Sequence, residues 1–180
     1  MFNYKSFGNR GMDLEGDINL SNEFYLKNDI AIIYKKPTPI QVTKVEYPSR
    51  SNTIIKEAFY KSPSTTDYNG VYKGKYIDFE AKETNNKTSF PLGNIHIHQI
   101  NHISNVIRHG GIAFLIIRFN TLNEIYLIKG SDFIEYIKNN NRKSVEYKYI
   151  KAKGYLIKEK YNPRIDYIKI VDKIIEEESL

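Results

Sequence analysis

The chain has 180 residues, a length that favours a single domain with a sizeable hydrophobic core. Lys and Arg number 27 against 21 Asp and Glu, and the resulting net charge of +6 favours a polyanionic partner such as nucleic acid. The abundance of Lys, Ile, Asn and Tyr is also typical of an AT-rich genome, so the charge alone is a weak argument. The absence of cysteine excludes disulfides, thiolate zinc sites and cysteine nucleophiles.

The apolar residues are spread along the chain in short segments. They make up 41% of the sequence, which is too much for a largely disordered protein. No apolar run is as long as a membrane span, and the N-terminal residues lack the apolar core of a signal peptide. The sequence therefore predicts a cytoplasmic protein with no membrane partner.

The first third of the chain is predicted to form a polar arm at residues 1–9, a helix over 11–27, a short strand at 31–36 and a long insert. The candidate packing residues of the helix are Met12, Leu14, Ile18, Leu20 and Phe24. The insert, residues 37–63, contains several prolines but still alternates between apolar and polar residues, which predicts edge strands or a projecting arm. Such an insert has to bury its apolar face, for example against a second subunit.

The remaining elements predict a mixed α/β domain. The predicted strands lie at 71–73, 76–82, 112–119 and 124–129, and the continuously apolar 112–119 is typical of the centre of a sheet. The predicted helices lie at 97–109, at 131–139 with Ser131 as N-cap, and at 166–178. Residues 145–162 indicate further strands or irregular structure. Since no repeat or linker interrupts the chain, we expect one domain over residues 1–180.

Residues 76–83, with the sequence Tyr-Ile-Asp-Phe-Glu-Ala-Lys-Glu, are the most informative segment. Their alternation predicts a half-buried strand whose polar face carries Asp78, Glu80 and Lys82. Residues i and i+2 on one face are about 7 Å apart, so Glu80 and Lys82 can act on the same phosphate, with Asp67 on the preceding loop. Carboxylates that hold a divalent cation beside such a lysine are typical of metal-dependent phosphodiesterases. On the pattern alone, a solvated strand face with an incidental Glu-x-Lys is the commoner explanation.

Other polar residues have both a functional and an ordinary interpretation. All four histidines lie between residues 96 and 109, and the spacing of His98 and His102 suits zinc, although a third ligand is lacking and surface histidines are commoner. Gln99 is either a weak cation ligand or a surface glutamine. Glu15 is either a third carboxylate for the metal or an acid at a helix N-terminus. The basic and aromatic residues of the insert either follow a nucleic-acid backbone or form an ordinary polar face.

Several blocks of the sequence, taken together, resemble the RecU family of Holliday junction resolvases. They are Asn-Arg-Gly-Met at 9–12, Lys-Lys-Pro-Thr-Pro-Ile-Gln-Val at 35–42, Ser-Thr-Thr-Asp-Tyr-Asn-Gly at 64–70, Tyr-Ile-Asp-Phe-Glu-Ala-Lys-Glu-Thr at 76–84, Ser-Phe-Pro-Leu at 89–92 and His-Gln-Ile at 98–100. The blocks keep their order and spacing over residues 9–130, which is stronger evidence than any single block. The C-terminal third is not covered by the resemblance.

The resemblance implies a fold similar to that of type II restriction endonucleases, with a mixed central sheet flanked by helices and a stalk formed by residues 37–63. It also implies a homodimer. It implies magnesium bound at the positions of Thr65, Asp67, Glu80 and Gln99. The lysine that stabilises the transition state matches Lys82. The chain has only about nine residues before the first block, fewer than many members of the family, which would lower its affinity for DNA.

These implications give one leading hypothesis and two alternatives. The leading hypothesis is a magnesium-dependent endonuclease, in which manganese can substitute, that resolves Holliday junctions in homologous recombination and DNA repair alongside recombinase or branch-migration proteins. The first alternative is a non-catalytic regulator of recombination, which would bind junctions without cutting them. The second is a sequence-specific restriction-type endonuclease, which would cut linear duplex. Asp78 has no role in these hypotheses beyond support of the site or the fold.

Overall fold

The structure is a computed structural model, and it describes residues 13–49, 52–61 and 65–178. Its α-helices and strands are, in chain order, α1 (Leu14–Lys27), β1 (Ile32–Lys35), β2 (Ile40–Ser49), β3 (Asn52–Tyr60), β4 (Tyr68–Tyr72), β5 (Lys75–Thr84), β6 (Ser89–Pro91), α2 (Ile97–Arg108), β7 (Ile112–Phe119), β8 (Glu124–Lys129), α3 (Gly130–Asn139), β9 (Ser144–Glu146), α4 (Tyr147–Lys153), β10 (Tyr155–Ile157) and α5 (Ile168–Glu178). The predicted polar arm at 1–9 and the predicted start of the first helix, with Met12, lie outside the described residues.

A six-stranded mixed sheet forms the centre of the molecule. Its strand order is β1-β4-β5-β7-β8-β10, and β5 and β7 are its one parallel pair. β7 is buried along its whole length, which explains its continuously apolar sequence and confirms the predicted central strand. β4 and β5 are joined by a two-residue turn, Lys73 and Gly74, in which both residues have positive φ. Such turns match the right-handed twist of the strands they connect.

Helices cover both faces of this sheet. On one face, α1 and α5 pack with Phe114 of β7 in one hydrophobic core. On the other face, α2, α3 and α4 pack with Leu115, the next residue of β7, in a second core. Successive residues of a strand point to opposite faces, so β7 contributes to both cores. The predicted mixed central sheet flanked by helices is confirmed.

β5 differs from the half-buried strand that its alternation predicts. Phe79 faces a core as expected, but Asp78 and Glu80, on the polar face, are also fully buried. The reason is α2, which packs over this face and places Gln99 and His102 against the two carboxylates. The polar face of β5 is therefore an interior site, where each polar group needs a partner.

The insert forms a two-stranded hairpin. Within the described residues, β2 and β3 pair only with each other, and no residue of either strand is buried. A hydrogen bond of 2.9 Å from Lys61 N to Pro39 O closes the base of the hairpin. Ile55, Phe59 and Tyr60 are among its exposed apolar side chains. Of the residues 37–63 that were predicted to be extended, those of β2 and β3 are extended, and 50, 51, 62 and 63 lie outside the described residues.

Three details of the helices contradict the prediction. Ser131 is not the cap of α3, because the helix begins at Gly130, directly after β8, and has no side-chain cap. Leu20 is exposed, whereas Tyr25 of the same helix is buried. The stretch 145–162 holds the expected strands, β9 and β10, but also α4, whose seven residues are too few to show a helical period. No helix in the described part of the chain is long and apolar enough to cross a bilayer.

Candidate active site

Three segments of the chain meet at the polar face of β5. Glu80 and Lys82 lie on β5, Asp67 lies on the loop before β4, and Gln99 lies in the first turn of α2. The antiparallel pairing of β4 with β5 brings Asp67 beside Ala81, whose N–H donates to Asp67 Oδ2 at 3.3 Å. Four of the five predicted site residues, all but Thr65, are therefore in contact with one another.

Glu80 is the buried centre of this group, with 0% of its surface exposed. Its Oε1 forms an ion pair with Lys82 Nζ and accepts a hydrogen bond from Gln99 Nε2 at 2.6 Å. Its Oε2 is buried and has no hydrogen-bond partner among the residues that the structure describes. Burial raises the pKa of Glu80 from 4.5 to about 8, with the neighbouring carboxylate of Asp67 adding to the rise and Lys82 opposing it. A water molecule or a cation can satisfy such a buried oxygen.

Lys82 bridges the two carboxylates. Its Nζ contacts Glu80 Oε1 and lies 3.5 Å from Asp67 Oδ2. Burial by itself would lower the pKa of Lys82, but the negative charges of Glu80 and Asp67 and the hydrogen bonds to them raise it above its ordinary value. Lys82 is therefore positively charged at neutral pH, and the charge is held in a fixed place.

Gln99 and Thr65 are the two predicted ligands whose side-chain oxygens do not face Asp67 and Glu80. Gln99 Oε1 accepts a hydrogen bond of 2.9 Å from His96 N at the start of α2, so the amide nitrogen of Gln99 faces Glu80. This side chain has to turn before its oxygen can bind a cation. Thr65 Oγ1 donates to Thr66 O at 3.4 Å, and no hydrogen bond among the described residues joins it to the other four site residues.

Asp78 is a functional-site neighbour for which the sequence indicated no role. Its Oδ1 accepts a hydrogen bond from Thr66 Oγ1, and its Oδ2 accepts from Lys36 Nζ at 2.8 Å and from Tyr76 OH at 2.9 Å. His102 Nε2 lies 3.2 Å from the same Oδ2. The alternation of β5 places Asp78 on the face of the site, but Lys36 and His102 are too far away in the sequence to be recognised as its partners.

The other candidates of the sequence lie outside the carboxylate pair. Glu15 forms an ion pair with Lys35 at the surface. The rings of His96 and His98 stack with their centroids 5.3 Å apart, while His102 faces the carboxylate on β5. In the ranges that the structure describes, no group of three or more His, Cys, Asp or Glu residues could hold a metal ion. The histidine spacing therefore gives no zinc site within these ranges.

The oxygen donors at β5 fit a small divalent cation of the magnesium type. Magnesium is usually bound by one or two carboxylates, while water and substrate phosphate complete its shell. Asp67 and Glu80 supply two carboxylates, and the unpartnered Oε2 of Glu80 is an oxygen that such an ion would satisfy. The oxygens of Thr65 and Gln99 would join these donors only after their side chains turn toward the carboxylates.

The chain matches the protein-family model described as RecU, Recombination protein U, over residues 9–173. A protein of Geobacillus sp. (strain WCH70) named Holliday junction resolvase RecU is 56% identical over 172 residues, which cover 94% of this chain and 86% of that protein. A protein of the same name from Staphylococcus aureus (strain JH9) is 56% identical over 181 residues, which cover 99% of this chain and 87% of that protein. Among solved structures, Archaeoglobus fulgidus Hjc, a Holliday junction resolvase from an archaeal hyperthermophile, aligns with a TM-score of 0.43 and 6% identity over 76% of this chain and 93% of that chain.

Proposed function

Because this chain belongs to the RecU family, we propose that it is an endonuclease that resolves four-way Holliday junctions in homologous recombination and DNA repair. The observation that carries the proposal is Glu80, a buried carboxylate with one unpartnered oxygen, in contact with Lys82 and Gln99. A protein that only binds junctions gains nothing from this arrangement, since burial of charged groups costs free energy.

The proposed cofactor is magnesium, for which manganese substitutes. When bound, it polarises a phosphoryl oxygen and lowers the pKa of a coordinated water. Glu80 and Asp67 would hold it through their carboxylates, with the oxygens of Thr65 and Gln99 as further ligands. Since burial raises the pKa of Glu80, a cation bound to this carboxylate would compete with a proton.

Lys82 and Gln99 have different roles in the proposed reaction. The ammonium group of Lys82 is charged and fixed beside the carboxylates, so it offsets the negative charge that develops on the phosphate in the transition state. Before the ion binds, the amide of Gln99 holds Glu80 in one orientation through its hydrogen bond to Oε1. The rest of α2 covers the strand and limits the access of water to the buried carboxylate.

The hairpin β2–β3 is the proposed stalk that contacts DNA. Lys44 and Lys61 are exposed on it, together with the aromatic rings of Tyr47, Phe59 and Tyr60. Exposed lysines can contact phosphate, and exposed rings can stack on unpaired bases.

Other parts of the proposal concern assembly and context. The chain would act as one nuclease domain over residues 1–180 with the stalk-like insert at 37–63. A homodimer would present one site to each of the two strands to be cut. The protein would work in the cytoplasm with recombinase or branch-migration proteins.

The test compares the cleavage of a synthetic four-way junction with that of a linear duplex of the same sequence, in magnesium, manganese or EDTA. Wild type is expected to cut the junction in either metal, and to leave the duplex intact. Glu80→Gln is expected to bind the junction and not to cut it. Equal cutting of the duplex would favour a restriction-type enzyme, and binding without cutting by wild type would favour a regulator. Full nicking by Glu80→Gln would contradict the assignment of the site.

A further inference from the structure

Asp78 is a fully buried carboxylate that the proposed mechanism does not use. Its two oxygens contact Thr66, Lys36, Tyr76 and His102. Apart from Tyr76, which shares β5 with it, these partners come from the end of β1, from the loop before β4 and from α2. A buried carboxylate with this many donors fixes their positions, because the loss of one contact leaves a buried group unpaired.

The first part of this network holds the loop that carries Thr65 and Asp67. Thr66 lies between these two residues, and its hydroxyl donates to Asp78. Lys36 Nζ donates to Thr66 Oγ1 and to Asp78 Oδ2, each at 2.8 Å. The backbone N–H of Lys36 also donates to Asp67 O at 2.8 Å. The loop is therefore attached to β5 through side chains and to the end of β1 through its backbone.

The second part of the network holds α2. His102 contacts Asp78, and Gln99, three residues earlier in the helix, donates to Glu80. Residues i and i+3 lie on the same face of a helix, so the two contacts meet two carboxylates of the same strand face. Together they fix both the rotation of α2 and its distance from β5.

We propose that Asp78 is a positioning residue that places Asp67 and Gln99 against Glu80, so that the carboxylate pair is formed before a divalent cation binds. The inference rests on the proposed function, since the cation belongs to it. Side chains that support metal ligands typically change metal affinity or activity by roughly 10- to 100-fold when they are replaced.

Asp78→Asn removes the charge and half of the acceptor capacity with little change of shape. The matched control is Asp172→Asn on α5, because Asp172 accepts from Tyr72 OH at 2.9 Å and from Lys73 Nζ at 2.6 Å, the same kinds of partner away from the site. Both variants are compared with the full-length wild type.

The first measurement is amide hydrogen exchange in EDTA. The N–H of Ala81 donates to Asp67 Oδ2 and that of Lys36 donates to Asp67 O, so both amides report the placement of Asp67 without any metal. We expect both amides to exchange faster in Asp78→Asn and at the wild-type rate in Asp172→Asn. Unchanged exchange at both amides in Asp78→Asn would overturn the proposal.

The second measurement is the rise in Tm on addition of magnesium. Asp78→Asn is expected to need a magnesium concentration roughly 10- to 100-fold higher for half of this rise, while its junction binding in EDTA is unchanged. A lower Tm with an unchanged magnesium dependence would show a merely structural role and would also overturn the proposal.

Thr66→Val is a second variant that keeps the side-chain volume and removes one donor to Asp78, so the test can be made even if Asp78→Asn does not fold. It is expected to change both measurements in the same direction by a smaller factor, and no change would overturn the proposal. If wild type shows the magnesium-dependent rise but does not cut junctions, the proposed function fails while the two measurements still decide the role of Asp78. If the Tm of wild type does not rise with magnesium, both the proposed function and the proposed role of Asp78 fail.

Discussion

Replacement of Glu80 by glutamine is expected to stabilise the metal-free protein while it abolishes cleavage. The rise of the Glu80 pKa from 4.5 to about 8 corresponds to about 5 kcal/mol at about 1.4 kcal/mol per pH unit. Because the folded pKa is the higher one, the unfolded state releases this proton first, and stability is lost as the pH rises from 4.5 to about 8. At neutral pH the loss is about 3 kcal/mol. Glutamine avoids it because it has no charge to bury.

The assay is urea unfolding in EDTA at several pH values, followed by circular dichroism. We expect Glu80→Gln to exceed wild type by about 3 kcal/mol at neutral pH, by more above pH ~8 and by little below pH ~5. Added magnesium should stabilise wild type alone and reverse the order. The control is Glu177→Gln, because hydrogen bonds from Tyr155 and Lys129 lower the pKa of this exposed carboxyl, so its replacement should give no gain at alkaline pH. A Glu80→Gln protein less stable than wild type throughout would refute the reasoning.

Four further substitutions test the ammonium group, the amide and the stalk. Lys82→Met is expected to lower the rate of cleavage by roughly 100- to 1000-fold with unchanged junction binding in EDTA, and a normal rate would remove Lys82 from the mechanism. Gln99→Leu loses the hydrogen bonds to Glu80 and His96, so it should raise the magnesium concentration for half-maximal cleavage by roughly tenfold or more. An unchanged magnesium dependence would contradict the proposed role of Gln99. Phe59→Ala and Tyr60→Ala should each weaken junction binding by about 1–3 kcal/mol, if the rings stack on bases, without a change in Tm. Wild-type affinity in both would argue against stacking by the stalk.

The central sheet could be predicted from the sequence because its signals are local. The unbroken apolar run of β7 indicates a strand covered on both sides, and every residue of β7 is buried in the structure. Alternation in β5 indicates two different faces, and it correctly places Glu80 and Lys82 together. Alternation does not reveal what covers a polar face, however, and for this reason β5 was expected to be half-buried.

The support of the site could not be predicted, because it is built from contacts between distant parts of the chain. Lys36 and Asp78 are 42 residues apart, and His102 and Asp78 are 24 residues apart. The orientation of Gln99 could not be predicted either, because it depends on the hydrogen bond that its oxygen accepts from His96 N at the start of α2. Residue types and spacing indicated Asp67, Glu80 and Lys82, and the resemblance to the RecU family added Gln99, while the partners of these groups depend on the packing of α2 and of the loop before β4.

The hairpin β2–β3 contributes no buried residue to either core. The stability of the fold and the shape of the proposed DNA-binding surface therefore depend on different residues. Substitutions along the hairpin should therefore leave the packing of the sheet unchanged and have little effect on global unfolding. A lone hairpin is also only marginally stable in water, and it should open locally at a far lower free energy than the sheet. The surface proposed to meet DNA is therefore free to adapt its shape to the substrate while the carboxylates on β5 stay in place.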